Sequence, residues 1–278
     1  MMKYWAGGYV EQKIGFIGCG NMGKAILGGL LASQFARPQD ILVYNRTADS
    51  VRAIVDEYGV GAAAGAQALA AAVDIVVLGV KPSGMRALLE EIKGSLRAET
   101  IVVSIAAGVT IETLQEGLPV QQKVIRVMPN TPSLVNAGMS SVTPNGRVSA
   151  EECARIVALF RSFGRAEVVP ESLIHAVVGV SGSSPAYVFM FIEAMADAVV
   201  RAGMPRAQAY QFAAQAVMGA AKMVLETGTH PAELKDMVCS PGGTTIEAVA
   251  ALEENGMRAS VIEAITRCIA KSEAMSRR

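Results

Sequence analysis

Through the first 170 residues, hydrophobic positions fall into short unbroken runs. Residues 13–18, 41–44, 74–80, 100–105 and 123–127 are dominated by Ile, Val, Leu and Phe, and stretches with helical spacing separate them. Apolar runs of that length, alternating with helices, are what parallel strands covered on both faces require. Residues 137–142 and 166–169 read as edge strands around a helix over 150–163. Beyond Pro170 the strand pattern stops. Helices are expected over 185–203, 205–228, 231–239 and 244–277, punctuated by proline near their starts and glycine at their ends. The fold class is therefore α/β: a doubly wound Rossmann-type domain over 13–170, then an all-α domain over 171–278.

The C-terminal helices carry few charges. Between Tyr210 and Val224 the only ionised side chain is Lys222, so the apolar surface runs almost around the helix and must be buried on most sides. A hundred-residue helical domain cannot easily do that alone, and interleaving with a second copy would. Composition agrees: charged residues are 18% of the chain and hydrophobic ones 51%, where about 25% charged is usual. A homo-oligomer is expected. The uncharged run 176–192 is of marginal length for a membrane span. Its centre, Ser181-Gly182-Ser183-Ser184-Pro185, is too polar, so it reads as a turn leading into a buried helix.

Twenty-five basic residues balance twenty-five acidic ones, which leaves no long-range field to gather nucleic acid or an anionic membrane. Cys19, Cys153, Cys239 and Cys268 are scattered and form no C-x-x-C pair. They read as reduced thiols of a cytoplasmic protein. With His175 and His230 the only histidines, no metal site is expected. Residues 1–12, which include Trp5, read either as a frayed leader or as a docking arm.

Gly18-Cys19-Gly20-Asn21-Met22-Gly23 follows the first strand and opens a helix. That is the context a dinucleotide fingerprint demands. Gly18 permits the tight turn, Gly20 lets the backbone approach a pyrophosphate, and Gly23 lets helix and strand pack closely, while the helix N-terminus offers donors to the phosphates. At the end of the second strand the chain reads Tyr44-Asn45-Arg46-Thr47. An acid there would hold a ribose 2′-hydroxyl, whereas Arg46 can pair with a 2′-phosphate and Asn45 or Thr47 can add hydrogen bonds. NADPH is the expected cofactor, with NADH as the alternative. Val80-Lys81-Pro82 and Met128-Pro129-Asn130-Thr131-Pro132 lie at the carboxyl ends of strands, where open α/β sheets bind ligands. Cys239 to Thr245 precedes a helix starting near Thr244. It is either an ordinary loop with a threonine N-cap, or a row of N–H groups flanked by hydroxyls that suits a carboxylate.

From Lys13 to nearly the C-terminus the sequence resembles the pyrroline-5-carboxylate reductases. The resemblance rests on the Gly18 loop, Gly79 to Pro82, Ser104 to Ile111, Arg126 to Pro132, Ser181 to Tyr187, and above all His230-Pro231 through Ser240-Pro241-Gly242-Gly243-Thr244-Thr245. It implies reduction of L-1-pyrroline-5-carboxylate to L-proline with NAD(P)H, the last step of proline biosynthesis. It also implies a Rossmann domain joined to a dimerisation domain, with homodimers assembling into a decamer of five dimers. Carried over by motif, Cys19, Asn21, Met22, Asn45, Arg46, Lys81 and Ala107 fall on the dinucleotide, and Met128, Pro129 and Asn130 near the nicotinamide. The substrate carboxylate falls on N–H groups around Gly242, Gly243 and Thr244, assisted by Ser240. Thr245 falls on the ring nitrogen, and Glu171 near both ligands.

Two positions depart from the family pattern. Ser184 stands where many relatives have glycine, so backbone strain is expected there, and Met237 replaces a polar side chain. Two other readings compete with the reductase. A related imine or β-hydroxyacid reductase would need a lysine in the helical domain, for which Lys222 and Lys235 are the candidates. A non-enzymatic NADPH-binding protein would have no need of Ser240 and Thr245.

Overall fold

Eight strands form one sheet in a computed structural model that describes residues 12–276. The order is β3-β2-β1-β4-β5-β6-β7-β8, with β1 Ile14–Ile17, β2 Ile41–Tyr44, β3 Gly61–Ala62, β4 Ile75–Leu78, β5 Ile101–Ser104, β6 Lys123–Met128, β7 Gly138–Pro144 and β8 Gly164–Val168. Strands β1 to β6 are parallel, β7 runs antiparallel to β6, and β8 is parallel to β7. The two-residue β3 has no apolar run to announce it and was not anticipated. The residues expected at 1–12 lie outside the described part except for Gln12.

Successive strand residues point to opposite faces, and both faces are apolar. Ile14, Phe16, Ile75, Val77, Ile101, Val103, Ile125 and Val127 pack with α1 (Asn21–Ala32), α2 (Ala48–Tyr58) and α6 (Ala150–Arg161). Ile17, Val76, Leu78, Val102 and Val124 pack with α3 (Ala66–Ala72), α4 (Pro82–Ile92) and α5 (Ile111–Glu116). This double cover is why the strands read as continuous hydrophobic runs. Local signals set the helix ends. Pro82 occupies the first turn of α4, Thr110 caps α5 through the N–H of Thr113, and Ser149 with Glu152 forms a capping box on α6.

The chain divides into two compact units, 12–182 with 269–276 and 183–268. The first ends in a short helix α7 (Ile174–Val177) and a π-helical turn over Val178–Gly182. The second carries α8 (Ser184–Arg201), α9 (Arg206–Thr227), α10 (Pro231–Val238), α11 (Thr244–Glu254) and the start of α12 (Met257–Ser276). One helix was expected over 244–277. It is two, because Gly256 adopts φ +69° after Asn255 and the left-handed residue ends the first. Ser184 opens α8 without positive φ, so the expected strain at that position is absent.

On one chain alone the burial expected of the helices is incomplete. Helix α8 was read as buried, yet Phe189 is 61% and Met190 69% exposed on the single chain. On α9 only Ala209 and Ala213 are buried, and Phe212 is 67% exposed. Small residues make the contacts available within one chain, and the large apolar side chains point away from them.

In the sheet unit, close packing of α1 depends on Gly29. A methyl group there would lie 2.5 Å from Cβ and Cγ of Phe163. Gly29→Ala should destabilise the sheet unit by about 1–3 kcal/mol through overpacking, read as a lower urea-unfolding midpoint. An unchanged midpoint would show that α1 and Phe163 separate freely.

Candidate functional site

Strand β1 ends where the sheet order reverses, and the glycine loop begins there. Gly18 has φ +82° and donates its N–H to Tyr44 O at 3.0 Å. A Cβ on Gly18 would lie 2.8 Å from Val80 N, and one on Gly79 would lie 2.6 Å from Gly18 O. Two backbones therefore pass each other without side chains between β1 and β4. Gly20 is the N-cap of α1, and a Cβ built on it meets nothing within 4 Å. No acidic residue occupies the first turn, so the helix N-terminus keeps its positive end and its first N–H groups lack helical partners. A Cβ on Gly23 would lie 3.1 Å from Cys19 Sγ, which makes Gly23 a packing residue. This open, acid-free glycine turn fits a dinucleotide diphosphate.

The side chain of Asn45 is committed to that turn. Its Oδ1 accepts the Cys19 N–H at 2.7 Å, and its Nδ2 donates to Cys19 O at 3.3 Å and to Ser50 Oγ at 3.2 Å. Both amide hydrogens are thus engaged in holding the loop against the start of α2. Cys19 is buried, and burial pushes its thiol pKa up to about 12. It is an uncharged packing group whose backbone anchors the turn. Arg46 is exposed and makes no ion pair among the described residues.

The other candidates lie along the same carboxyl edge of the sheet. Asn21 and Met22 start α1, Lys81 is the exposed N-cap of α4, and Ala107 is exposed after β5, next to Gly108 at φ +78°. Met128 ends β6, and Pro129 after it is buried. Asn130 accepts the Met139 N–H at 2.8 Å and donates to both O and Oγ of Ser181 at 3.2 Å. Glu171 Oε1 accepts from Ile111 N at 2.8 Å and from Arg126 Nη1 at 2.9 Å. Arg126, buried in an otherwise apolar strand, was not singled out from the sequence. A cation in the middle of Val-Ile-Arg-Val-Met is the signal that marks it, because a charge in that setting needs a partner.

Cys239 to Thr245 is built wholly within the helical unit. Gly242 is left-handed at φ +66°, and the Gly243 N–H closes a turn onto Ser240 O at 3.0 Å. A Cβ on Gly243 would lie 2.2 Å from Ser240 Oγ. Gly243, not a threonine, is the N-cap of α11. The first-turn N–H groups, beginning with those of Thr244 and Thr245, are therefore left without a capping side chain. The hydroxyls of Ser240, Thr244 and Thr245 make no hydrogen bond among the described residues. The loop is a donor-rich helix end that suits an anion.

The family model for pyrroline-5-carboxylate reductase dimerisation matches residues 171–275, and one for coenzyme F420-dependent NADP oxidoreductases matches 13–108. A pyrroline-5-carboxylate reductase of Escherichia coli (strain K12) is 63% identical over 268 residues, covering 96% of this chain and all of the relative. The chain belongs to the pyrroline-5-carboxylate reductase family. The structure of the Coxiella burnetii reductase matches with TM-score 0.89 at 34% identity, covering 95% of this chain and 98% of that one. The Plasmodium falciparum reductase with NADP bound matches with TM-score 0.85 at 30% identity, covering 97% and 100%.

Membership accounts for the bare helices. Residues 171–201 are long and apolar enough to cross a membrane by length and composition, but they lie within the matched dimerisation region. A dimerisation region supports a homo-oligomer, and a second copy is what such exposed Phe and Met side chains call for.

Since Asn45 holds the loop and has no free polar hydrogen, Asn45→Ala should weaken NADPH and NADH alike. About tenfold is expected for losing a hydrogen bond to a part-buried backbone group, and fluorescence titration with each nucleotide measures it. A loss confined to NADPH would instead place Asn45 on the 2′-phosphate.

Proposed function

We propose that this member of the family reduces L-1-pyrroline-5-carboxylate to L-proline, with NADPH as hydride donor and NADH as the second donor. The observation that carries the reading is near full-length identity with a reductase of that name, combined with an intact glycine turn and an uncapped Ser240–Thr245 helix end. Residues 13–170 serve as the NADP-binding domain, and 171–278 as the dimerisation and substrate domain. The homodimer assembles further into a decamer of five dimers in the cytoplasm. The balance of 25 basic and 25 acidic residues supports the absence of a nucleic-acid or membrane partner.

In this reading the N–H groups at the start of α11 and the Ser240 hydroxyl hold the substrate carboxylate, with Gly242 and Gly243 shaping the turn. Thr245 Oγ1 is the hydrogen-bond partner of the ring nitrogen. Once that nitrogen is protonated, the C=N carbon is electrophilic enough to accept hydride without a strongly basic side chain. The reduced nicotinamide supplies that hydride when bound. A C–H and an N–H bond form as the C=N π bond is lost, and water provides the proton. Positioning then accounts for much of the rate, since well-oriented reactants reach effective molarities of about 10⁵ M or more. Arg46 is the selector for the phosphorylated cofactor, because no acid ends β2 and the nearest, Asp49, lies in the first turn of α2.

A β-hydroxyacid reductase would need a lysine at its reacting centre. Lys222 and Lys235 are instead surface groups paired with Glu226 and Asp236. Following NADPH oxidation with pyrroline-5-carboxylate, and in parallel with other imines and oxo acids, decides between the readings. Proline formation is expected; folded protein that leaves pyrroline-5-carboxylate untouched would overturn the assignment.

Thr245→Ala should lower kcat by about tenfold, the effect of one transition-state hydrogen bond of about 1.4 kcal/mol, with NADPH affinity nearly unchanged. Equal loss of both would remove its assigned role. Arg46→Asp should weaken NADPH by about 10- to 100-fold, as expected for losing charge-assisted hydrogen bonds, and leave NADH nearly untouched. Unchanged relative affinities would take Arg46 off the phosphate.

A further inference from the structure

Residues 171–182 belong to two descriptions at once. The family model for the dimerisation region begins at 171, yet by its contacts this segment is part of the sheet unit. It is the stretch through which the chain leaves the sheet, and β6 with its continuation touches it at both ends. At the start, buried Arg126 binds Glu171, and the same carboxylate oxygen takes the Ile111 N–H. At the end, Asn130 binds Ser181 twice, with its amide oriented by the Met139 N–H. Next to Ser181, a Cβ on Gly182 would stand 3.3 Å from Met128 Cε. Residues 126, 128 and 130 alternate along an extended chain and so share one side of it. The segment they hold includes the π-helical turn Val178–Gly182, a rare conformation that is common at functional sites.

Arg126 is 3% exposed, and a buried guanidinium is tolerable only with its charge matched. Glu171 meets that need. Its Oε1 is taken by two donors, which is the behaviour of a structural counter-ion. We propose that Arg126 is a positioning residue for the reduction. Paired with Glu171, it locks the start of the exit segment to the strand that runs on into Met128–Asn130, and full turnover requires this ion pair. Glu171 on this account acts through Arg126 and α5, and does not touch the substrate. The proposal rests on the reductase reading given above.

The test compares the parent protein with Arg126→Met, Arg126→Lys, Glu171→Gln and the Met/Gln double variant. For each, kcat, KM for pyrroline-5-carboxylate, the NADPH Kd and the thermal midpoint are measured. Each neutral single variant should lose about tenfold or more in kcat, since a misplacement of about 1 Å can cost about 100-fold, with the NADPH Kd nearly unchanged. The double variant should be no slower than the slower single, because both remove one coupled interaction. Lysine at 126 should recover part of kcat, since it keeps the charge and loses the fork. Near-parental kcat in Arg126→Met and Glu171→Gln overturns the proposal, and so do losses that multiply in the double variant. A raised KM with intact kcat in Glu171→Gln also overturns it and makes Glu171 a substrate ligand. A lower thermal midpoint with kcat intact reduces the pair to a stabilising contact. If Arg126→Met does not fold, Glu171→Gln and Arg126→Lys decide alone. A parent without turnover fails the reductase reading itself, a result separate from any ranking of the variants.

Discussion

Between β1 and β4 the strand order reverses, and two backbones must pass there with no side chain between them. Gly18 and Gly79 meet this demand: added Cβ atoms would fall 2.8 Å and 2.6 Å from opposing backbone atoms. The crevice of an open α/β sheet lies at such a reversal, so these glycines set where a ligand can enter. From that point the remaining geometry follows. The turn needs Gly18 at positive φ, α1 then follows the N-cap Gly20, where an added Cβ would meet nothing within 4 Å, and Asn45 reaches across from the end of β2 to hold the Cys19 backbone. The carboxyl ends of β2, β4, β5 and β6 lie in register along the same edge, because the strands are parallel and covered on both sides.

The helical unit obeys a different constraint. Its intrachain contacts use alanine, as at Ala196, Ala209 and Ala213, and leave Phe189, Met190 and Phe212 outside. Exposed apolar area of this kind is what an obligate interface buries. The dimerisation match over 171–275 gives it an occupant, a second copy of the chain. The low charge of Tyr210–Val224 is thus a property of the assembly.

Parallel strands were legible because each residue, whichever way it points, meets a helix, so the sequence shows runs of Ile and Val. The glycine turn was legible because its spacing follows a strand and opens a helix. Strand β3 was invisible at two residues, Gly61 and Ala62, with no apolar pattern to display. The break between α11 and α12 was missed because apolar spacing continues on both sides of Asn255-Gly256, and only the left-handed φ of Gly256 ends the helix. The need for a second copy was legible in the nearly uncharged helices, but which side chains of α8 one chain leaves bare was not, because an apolar face reads the same whether its own chain or another covers it. Arg126 escaped notice because its meaning lies in a partner 45 residues away, Glu171.

Asn45 and Glu171 sharpen what residue-by-residue resemblance can tell. Motif position puts both near ligands, yet the Asn45 amide and Glu171 Oε1 are engaged by the protein itself. Arg46, Lys81, Ser240 and Thr245 differ from them in having side-chain polar atoms with no partner among the described residues. The difference has a physical basis. A buried polar group without a partner is costly, so groups that must wait for a ligand sit at helix ends where water can reach them in the meantime, Arg46, Lys81 and Ser240 exposed and Thr245 half-buried. Groups that shape the backbone are bonded before any ligand arrives. The contacts left for ligands are then mainly helix-terminal N–H groups and a few exposed side chains. On the reading proposed above, that division would let cofactor selection at Arg46 and carboxylate capture at Thr244 and Thr245 vary apart from the glycine turn and the Arg126 ion pair.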